Sequence, residues 1–526
     1  MSNNVEYIGF KLISLELREN TLVGTIHYEF IENIDKPDEI YTSVIIGENG
    51  TGKSNMFRII IMLFKELHDL SHGRARSYNV DGRFNLKYSF RGSIFEFSNI
   101  TVVNDAIDTI AAARNQAFLI KNGRVVPFEK VEFPKAIVAN SIMLTDKYPI
   151  YDEDAFPNYK YLGVRNRPQV ASTRSYVRKT VEFIVQKINS EVFKSGVAKT
   201  ANFLGINGSI DVLFYTSNTL TFFKGTLDSG QLVTYFNHID KTYKESGKEP
   251  PFKLSHFKAI RKSDSDLLDR ICKLANQLYA QGWLIDNPRS SSKTISYNIV
   301  DDESHRRLKK DYPLLDHMRK LGMISSPEIN LNRGEAYNLQ ASSSGEYHFF
   351  SSMIGLLATI EKDSLIFIDE PEISLHPKWQ MQYLSFVREL FSSEYNNSHL
   401  LVATHSHFII SDLRGETSKI IGLRRVNSDD ELKKGKIEIV DLPYDVDTFC
   451  WSPDDVLYNI FNVTSSRNRF VAEEIANILN ELSKGDKDKV NQIDPKTYNT
   501  LLHLSKTLKE NDPLKEVVKS ILKRIN

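Results

Sequence analysis

Cysteine is scarce: Cys272 and Cys450 are the only two among 526 residues. They lie far apart with no metal-ligand spacing, which argues against a disulfide framework and suits ordinary thiols of a reducing cytosol. No stretch approaches the roughly 18 consecutive apolar residues of a membrane span. The opening Met-Ser-Asn-Asn-Val-Glu has no basic-then-apolar leader pattern. A soluble, cytoplasmic protein without membrane contact is the expectation. An excess of one charge is missing too, since Lys+Arg and Asp+Glu both total 67. No net field therefore draws the chain toward nucleic acid or an anionic surface, although net charge does not reveal a local basic patch. The length allows two or three domains and a sizeable core.

What is present is a glycine loop in a telling context. Residues 47–54 read Gly47-Glu48-Asn49-Gly50-Thr51-Gly52-Lys53-Ser54, after the apolar run Val44-Ile45-Ile46 and before Met56-Phe57-Arg58-Ile59-Ile60. A strand, a glycine loop and a helix in that order form the phosphate-binding P-loop pattern. Its backbone N–H groups and the helix N-terminus converge on a polyphosphate. Lys53 is placed to reach the β- and γ-phosphates, and the Ser54 hydroxyl to ligate Mg²⁺. ATP and Mg²⁺ are the cofactors this predicts.

A second motif lies far downstream. Ser364-Leu365-Ile366-Phe367-Ile368-Asp369-Glu370 is an unbroken apolar run ending in two acids. Such a run suits a strand buried on both faces of a parallel sheet, with the acids emerging where ligands bind in open α/β sheets. Asp369 is expected to hold Mg²⁺ through its water shell, and Glu370 to orient and deprotonate the attacking water. Between the two motifs, Ala341-Ser342-Ser343-Ser344-Gly345-Glu346 precedes the apolar stretch from Tyr347 to Leu357. A serine-rich turn entering a helix presents hydroxyls and N–H groups to an anion; an ordinary helix N-cap would read the same way.

In this arrangement the sequence resembles the ABC-type ATPases, the class of SMC and recombination-repair heads, which carry an LSGGQ-like signature shortly before the acidic strand. Ser343 and Gly345 fall on the signature's serine and second glycine; Ser342 and Ser344 depart from its leucine and first glycine. The resemblance implies that His405, after the buried run His399-Leu400-Leu401-Val402-Ala403-Thr404, is the switch histidine that hydrogen-bonds the γ-phosphate. His405 and His407 also have the spacing of a metal pair, with no further ligands nearby. Pro371-Glu372-Ile373-Ser374-Leu375-His376-Pro377 fills the D-loop position in a form like that of OLD-type soluble ATPases. Asn140-Ser141 to Asp146 stands at the Q-loop position without a glutamine. Signature loops of this class act on the nucleotide of the opposite subunit, so the resemblance implies a homodimer or higher oligomer.

The expected fold is α/β, an ABC-type P-loop NTPase head with an antiparallel β-subdomain. Short β-like runs over 5–30 and from Tyr78 to Phe97 supply that subdomain. Roughly 290 residues separate P-loop from signature, too many for a loop. Val177, Val181, Ile184, Val185 and Ile188 share one helix face, as do Leu267, Leu268, Ile271, Leu274 and Leu278. Neither sustains heptads, which disfavours a long coiled coil. The expected domains are a discontinuous head over 1–165 and 318–445, a mostly helical insertion lobe over 166–317, and a helical region over 446–526. In the lobe, Tyr161-Leu162-Gly163-Val164-Arg165-Asn166-Arg167 reads either as a phosphate-gripping turn or as a solvated one. In the tail, Ser452-Pro453-Asp454-Asp455 marks a helix start, and Val471, Ile475, Ile478, Leu479 and Leu482 an amphipathic helix. Leu514 to Ile525 reads as helix too. The nuclease domain that follows the head in OLD-type ATPases needs an Asp-x-Asp after a strand; Asp486-Lys487-Asp488 is the one such spacing over 446–526 and has no apolar strand before it, so no nuclease site is expected in this chain.

Taken whole, the sequence resembles the PtuA-like ATPases of Septu anti-phage defence, including retron-associated ones. The shared features are the Tyr-Leu-Gly-Val-Arg turn, Ser-Ser-Ser-Gly-Glu, the Asp-Glu-Pro-Glu-Ile-Ser-Leu-His-Pro run, Ala-Thr-His-Ser-His-Phe, and Trp451-Ser452-Pro453-Asp454-Asp455. The resemblance implies a regulatory ATPase working with a separate PtuB-like HNH nuclease, and in retron settings with a reverse transcriptase and its nucleic acid. The alternative is an SMC/RecF-like DNA repair or maintenance ATPase that contacts DNA directly. A transporter subunit fits less well, given the insertion, the D-loop form and the lack of a membrane anchor.

Overall fold

The computed structural model describes residues 9–31, 40–74, 80–100, 117–167, 170–171, 173–187, 189–217, 220–264, 266–287, 292–391, 395, 397–411, 413–425, 436–440, 448, 451–459, 495–507 and 513–525. It begins with strands β1 (Phe10–Asn20), β2 (Gly24–Glu29) and β3 (Tyr41–Gly47), then helix α1 (Lys53–Ser71). Next come β4 (Arg83–Phe90), β5 (Ser93–Ser98), β6 (Phe118–Lys121), β7 (Arg124–Val126), β8 (Ile137–Ser141), β9 (Tyr159–Tyr161), β10 (Arg165–Arg167) and β11 (Val170–Ala171). The insertion holds α2 (Thr173–Lys187), α3 (Glu191–Phe203), β12 (Ile210–Tyr215), α4 (Ser229–Ser246), α5 (Phe252–Ser263), α6 (Leu267–Ala280), β13 (Leu284–Asp286), β14 (Lys293–Asn298) and α7 (Asp302–Lys320). Strands β15 (Glu328–Asn332) and β16 (Ala336–Asn338) lead to α8 (Ser344–Thr359), β17 (Leu365–Asp369), α9 (Pro377–Phe391), β18 (His399–Thr404), β19 (Ser418–Arg425) and β20 (Ile437–Val440). The tail contains α10 (Pro453–Asn459), α11 (Pro495–Thr507) and α12 (Pro513–Ile525).

The central sheet has the order β20-β19-β3-β18-β17-β8-β9. All its neighbours are parallel except β19 and β20. Every residue of β8, β17 and β18 is buried, the consequence of apolar runs with both faces covered. Parallel register sets Asp369 beside Ser141 on one flank and Ala403 on the other, with Thr404 beside Ile46. The C-terminal ends of β3, β8, β17 and β18 therefore share one edge. A six-stranded antiparallel sheet, β2-β1-β4-β5-β6-β7, faces the same core. Phe10, Tyr88 and Phe95 from it and Phe57 and Phe64 from α1 join that cluster. The architecture is the expected α/β P-loop head with its antiparallel subdomain.

The insertion differs from the expectation in two respects. Helix α2 buries Val177, Val181, Ile184 and Val185, and α6 buries Leu267, Leu268, Ile271, Leu274 and Leu278; Ile188 lies outside the described residues. The lobe, however, also contains an antiparallel sheet ordered β13-β14-β12-β15-β16. Because β12 pairs with β15 and β15 with β16, this sheet carries the lobe through Asn338, past the boundary expected at 317. Cys272 is buried in α6, and burial pushes its thiol up to about 12, leaving it an unreactive apolar group.

The chain divides into two compact units, Met1–Trp451 and Ser452–Asn526, so the tail begins a few residues after the expected 446. Within the second unit, Ser452 caps α10: its hydroxyl accepts from Asp455 N at 3.1 Å, and the Asp455 carboxylate accepts from Ser452 N at 3.1 Å. Residues 471–482, Cys450, Asp486 and Asp488 lie outside the described residues.

Candidate functional site

The site begins with the turn between β3 and α1. Gly50 and Gly52 take φ of 78° and 87°, left-handed values that L side chains resist. They let Glu48, Asn49 and Gly50 form an exposed tip while Thr51 turns inward, its hydroxyl donating to Glu48 O at 2.9 Å. Helix α1 starts without a side-chain cap and without an acid in its first turn. Its free N–H groups and positive dipole end face the loop, an arrangement that favours an anion. Arg425, on β19, donates to Gly50 O at 2.8 Å and braces the tip.

Lys53 is buried and folds back into the loop. Its ammonium donates to Gly47 O at 2.9 Å and Glu48 O at 3.2 Å, and lies 2.9 Å from His405 Nε2. Burial lowers its pKa to about 8, against the opposing pull of Glu370, Asp369 and Glu372. Ser54 Oγ donates to Asp369 Oδ1 at 3.1 Å. Asp369 is 1% exposed, and burial raises its pKa to about 6. Its other oxygen, Oδ2, is buried without a completed hydrogen bond. A serine hydroxyl and an under-satisfied carboxylate are hard oxygen donors of the kind Mg²⁺ takes, so the residues present fit that ion.

Glu370 follows at φ 49°, a left-handed conformation costing roughly 1 kcal/mol or more for a residue with a Cβ. Its N–H donates to Ala403 O at 2.8 Å, which turns the side chain away from the strand and toward Lys53. Glu370 Oε1 lies 3.4 Å from His405 Nε2. That contact, assisted by Lys53, holds the carboxyl below its ordinary range, so it is ionised at neutral pH. His405 is fixed from behind, where Glu372 Oε1 accepts its N–H at 2.6 Å. Ser406 donates to Gln380 Oε1 at 2.6 Å, and Gln380 in turn donates to Leu375 O at 2.9 Å. The loop after β18 is thereby tied to the turn after β17. His407 packs on Phe408, ring centroids 4.1 Å apart, while His405 faces Lys53 and Glu370; the two histidines are not gathered as a metal pair.

The structure thus brings Lys53, Ser54, Asp369, Glu370 and His405 to one edge of the sheet. Ser343 and Gly345 are engaged in their own way. Ser343 and Glu346 form a capping box on α8, with Ser343 Oγ accepting from Glu346 N at 3.3 Å. Arg333 pairs with Glu346 at 2.6 Å. A Cβ on Gly345 would come within 2.4 Å of Ser374 O, so only glycine lets α8 approach the turn that follows Glu370. Helices α2 and α3 of the insertion pack on α8. Asn140, at the Q-loop position, accepts from Ser352 of α8 at 3.0 Å. It lines a cavity of about 20 Å³ with His348, Ser352, Asp369 and Tyr383, space for roughly one water.

The Tyr161–Arg167 turn is neither solvated nor open to phosphate at Arg165. That guanidinium is buried in an ion pair with Asp146 and also donates to Tyr148 O at 2.6 Å; the Arg167 side chain lies outside the described residues. Glu372, Gln380, Asp146 and Tyr148 were not singled out from sequence. Glu372 had a signal, a third acid two positions after Glu370. The others act through backbone groups or partners remote in sequence, which no local pattern marks.

Comparison with known proteins adds a family match and a set of folds. A family model described as "AAA domain, putative AbiEii toxin, Type IV TA system" matches residues 182–411. That span includes Ser343, Gly345, Asp369, Glu370 and His405 and leaves the P-loop outside. Among solved structures, the chain is similar to the SMC head domain from Thermotoga maritima, with 11% identity, TM-score 0.32, and coverage of 82% of this chain and 98% of that one. It is also similar to an Smc head bound to the C-winged helix domain of ScpA, with 12% identity, TM-score 0.33, and coverage of 82% and 97%. A third is the recombination mediator RecF with ATP, with 13% identity, TM-score 0.27, and coverage of 83% and 99%. No curated protein matches the chain. Residues 182–411 are thus similar to an AAA domain, and the chain has an α/β fold with a strand, glycine loop and helix at residues 41–71. No described helix is long and apolar enough to cross a membrane.

Proposed function

We propose that this chain binds and hydrolyses ATP, and that its nucleotide state controls a partner HNH nuclease in anti-phage defence. The observation that carries the ATPase reading is the convergence of Lys53, Ser54, Asp369, Glu370 and His405 on one sheet edge. Lys53 would exchange its contacts with Gly47 O, Glu48 O and His405 for the β- and γ-phosphates. Ser54 and Asp369 would hold Mg²⁺, which neutralises phosphate charge when bound. Glu370, ionised and set outward by its left-handed backbone, orients and deprotonates the attacking water. His405, released from Lys53, is free to donate to the γ-phosphate side of the site.

Ser343 and Gly345 stand at the mouth of α8, and in this reading they act on the nucleotide of a second copy. A C₂ homodimer with two sandwiched ATP molecules follows. The nuclease link rests on the resemblance of the motifs to PtuA-like ATPases, and the toxin description of the matching family is in keeping with a defensive role. Chemistry at the phosphates would reach the partner through the insertion, whose α2 and α3 pack on the signature helix α8.

The test is to incubate the purified chain with plasmid, Mg²⁺, Mn²⁺ and ATP, alone and with an HNH nuclease encoded beside it. Inert protein that gains ATP-dependent cleavage with the partner supports the reading. Cleavage by the chain alone, lost on changing Asp486 and Asp488, overturns it.

A further inference from the structure

Two short segments carry Glu370 and His405, the groups that face Lys53: residues 370–380, after β17, and residues 403–406, at the end of β18 and just beyond. They are joined at three points. Glu370 N–H donates to Ala403 O at 2.8 Å, His405 N–H donates to Glu372 Oε1 at 2.6 Å, and Ser406 Oγ donates to Gln380 Oε1 at 2.6 Å. Gln380, on α9, also donates from Nε2 to Leu375 O at 2.9 Å and to Glu372 O at 3.4 Å, which closes the ring. The first link is between backbone groups and the third between neutral side chains. The middle one differs, because a carboxylate accepting a backbone N–H makes a charge-assisted bond about twice as strong as a neutral one.

The turn after β17 has its own backbone supports. Glu370 and Ser374 take φ of 49° and 65°, Ile373 N donates to Glu370 O at 3.2 Å, and Leu375 N donates to Glu372 O at 3.0 Å. The Glu372 carboxylate reaches outside that turn, to the first residue beyond β18. Its second oxygen, Oε2, is buried, so little water competes for the group. The residue it holds is His405, whose Nε2 lies 2.9 Å from Lys53 Nζ and 3.4 Å from Glu370 Oε1. One turn therefore presents the Glu370 carboxylate and also sets where the imidazole stands beside it.

We propose that Glu372 is a positioning residue for His405: by fixing the His405 N–H it sets the distance between the imidazole and the Glu370 carboxylate, with Gln380 steadying both sides of the contact. This rests on the ATPase reading above and adds to it a residue that acts only through another. Bond-making at a phosphate is sensitive to such placement, since a displacement of about 1 Å can cost about 100-fold in rate. What His405 needs from position 372 is an acceptor; the charge strengthens the bond but is not consumed in any step.

The experiment measures phosphate release from Mg²⁺·ATP by the full chain, as kcat and KM. It compares Glu372→Ala, Glu372→Gln, His405→Ala and the double variant Glu372→Ala/His405→Ala, each checked for folding by its melting curve. Glu372→Ala is expected to lower kcat by about ten- to hundred-fold with little change in KM. Glu372→Gln, whose amide oxygen still accepts the N–H, should recover most of that loss. Because Glu372 acts through the imidazole, Glu372→Ala should cost nothing more once residue 405 is alanine. An unchanged kcat in Glu372→Ala, a Glu372→Gln variant as slow as Glu372→Ala, or losses that multiply in the double variant overturn the proposal. If Glu372→Ala does not fold, Gln380→Met, which cuts the Ser406 arm, carries the test. Its kcat should fall in the wild-type background and not in His405→Ala, and any other pattern overturns the proposal. A wild-type chain that binds ATP and releases no phosphate removes the ATPase reading, and this proposal with it.

Discussion

Asp369→Asn should stabilise the metal-free chain while removing its function. Burial raises the Asp369 pKa from 3.8 to about 6, and each unit is worth about 1.4 kcal/mol. The folded pKa lies above the unfolded one, so the folded state binds the proton more tightly. The cost of the buried anion is therefore complete above about pH 6, falls as pH drops through that value, and is gone below about pH 4. At pH 7.5 the cost is about 3 kcal/mol. Asparagine carries no charge and can accept from Ser54 as Oδ1 now does. For an unfolding unit of some 450 residues, 1 kcal/mol corresponds to about 1 °C. Thermal melts by circular dichroism without metal or nucleotide should then show a gain of about 2–3 °C at pH 7.5 that vanishes near pH 4. A lowered melting temperature at pH 7.5, or a gain that grows toward acid, would refute the electrostatic account.

Two further outcomes bear on the helix that begins at Ser344. Ser343→Arg should leave nucleotide binding by the isolated head intact but prevent ATP-dependent pairing of heads, visible as a mass that stays monomeric by light scattering when ATP is added; a dimer forming normally would contradict the in-trans role. Gly345→Ala places a methyl 2.4 Å from Ser374 O. This should cost about 1–3 kcal/mol, read as a drop in melting temperature; an unchanged melt would mean that the turn after Glu370 yields freely.

How much of this was legible in the sequence follows from how local each signal is. The P-loop was readable because glycine spacing, a preceding apolar strand and a following helix fall within about twenty residues. The acidic strand was readable because a run buried on both faces needs no alternation. The insertion's sheet was not, because β12 meets β15 more than a hundred residues away and its strands are only 3–6 residues long. The arginine turn was read as a phosphate grip or a solvated loop because the partner of Arg165, Asp146, carries no pattern of its own. Ser343 presents the opposite case: the anion-binding loop and the capping box are the same residues, and the structure shows the cap within the chain. Glu372 reaches the His405 backbone through folding alone.

The most direct test of the ATPase account is an equilibrium ATP titration, by calorimetry with Mg²⁺, of Glu370→Gln beside Lys53→Ala. Glu370→Gln keeps the loop, Ser54 and Asp369, so it should bind one ATP per chain without turning it over. Lys53→Ala loses the only cationic side chain among residues 47–54 and should show no measurable binding. Absence of ATP binding by Glu370→Gln, or full affinity in Lys53→Ala, would contradict the division of roles on which the account rests.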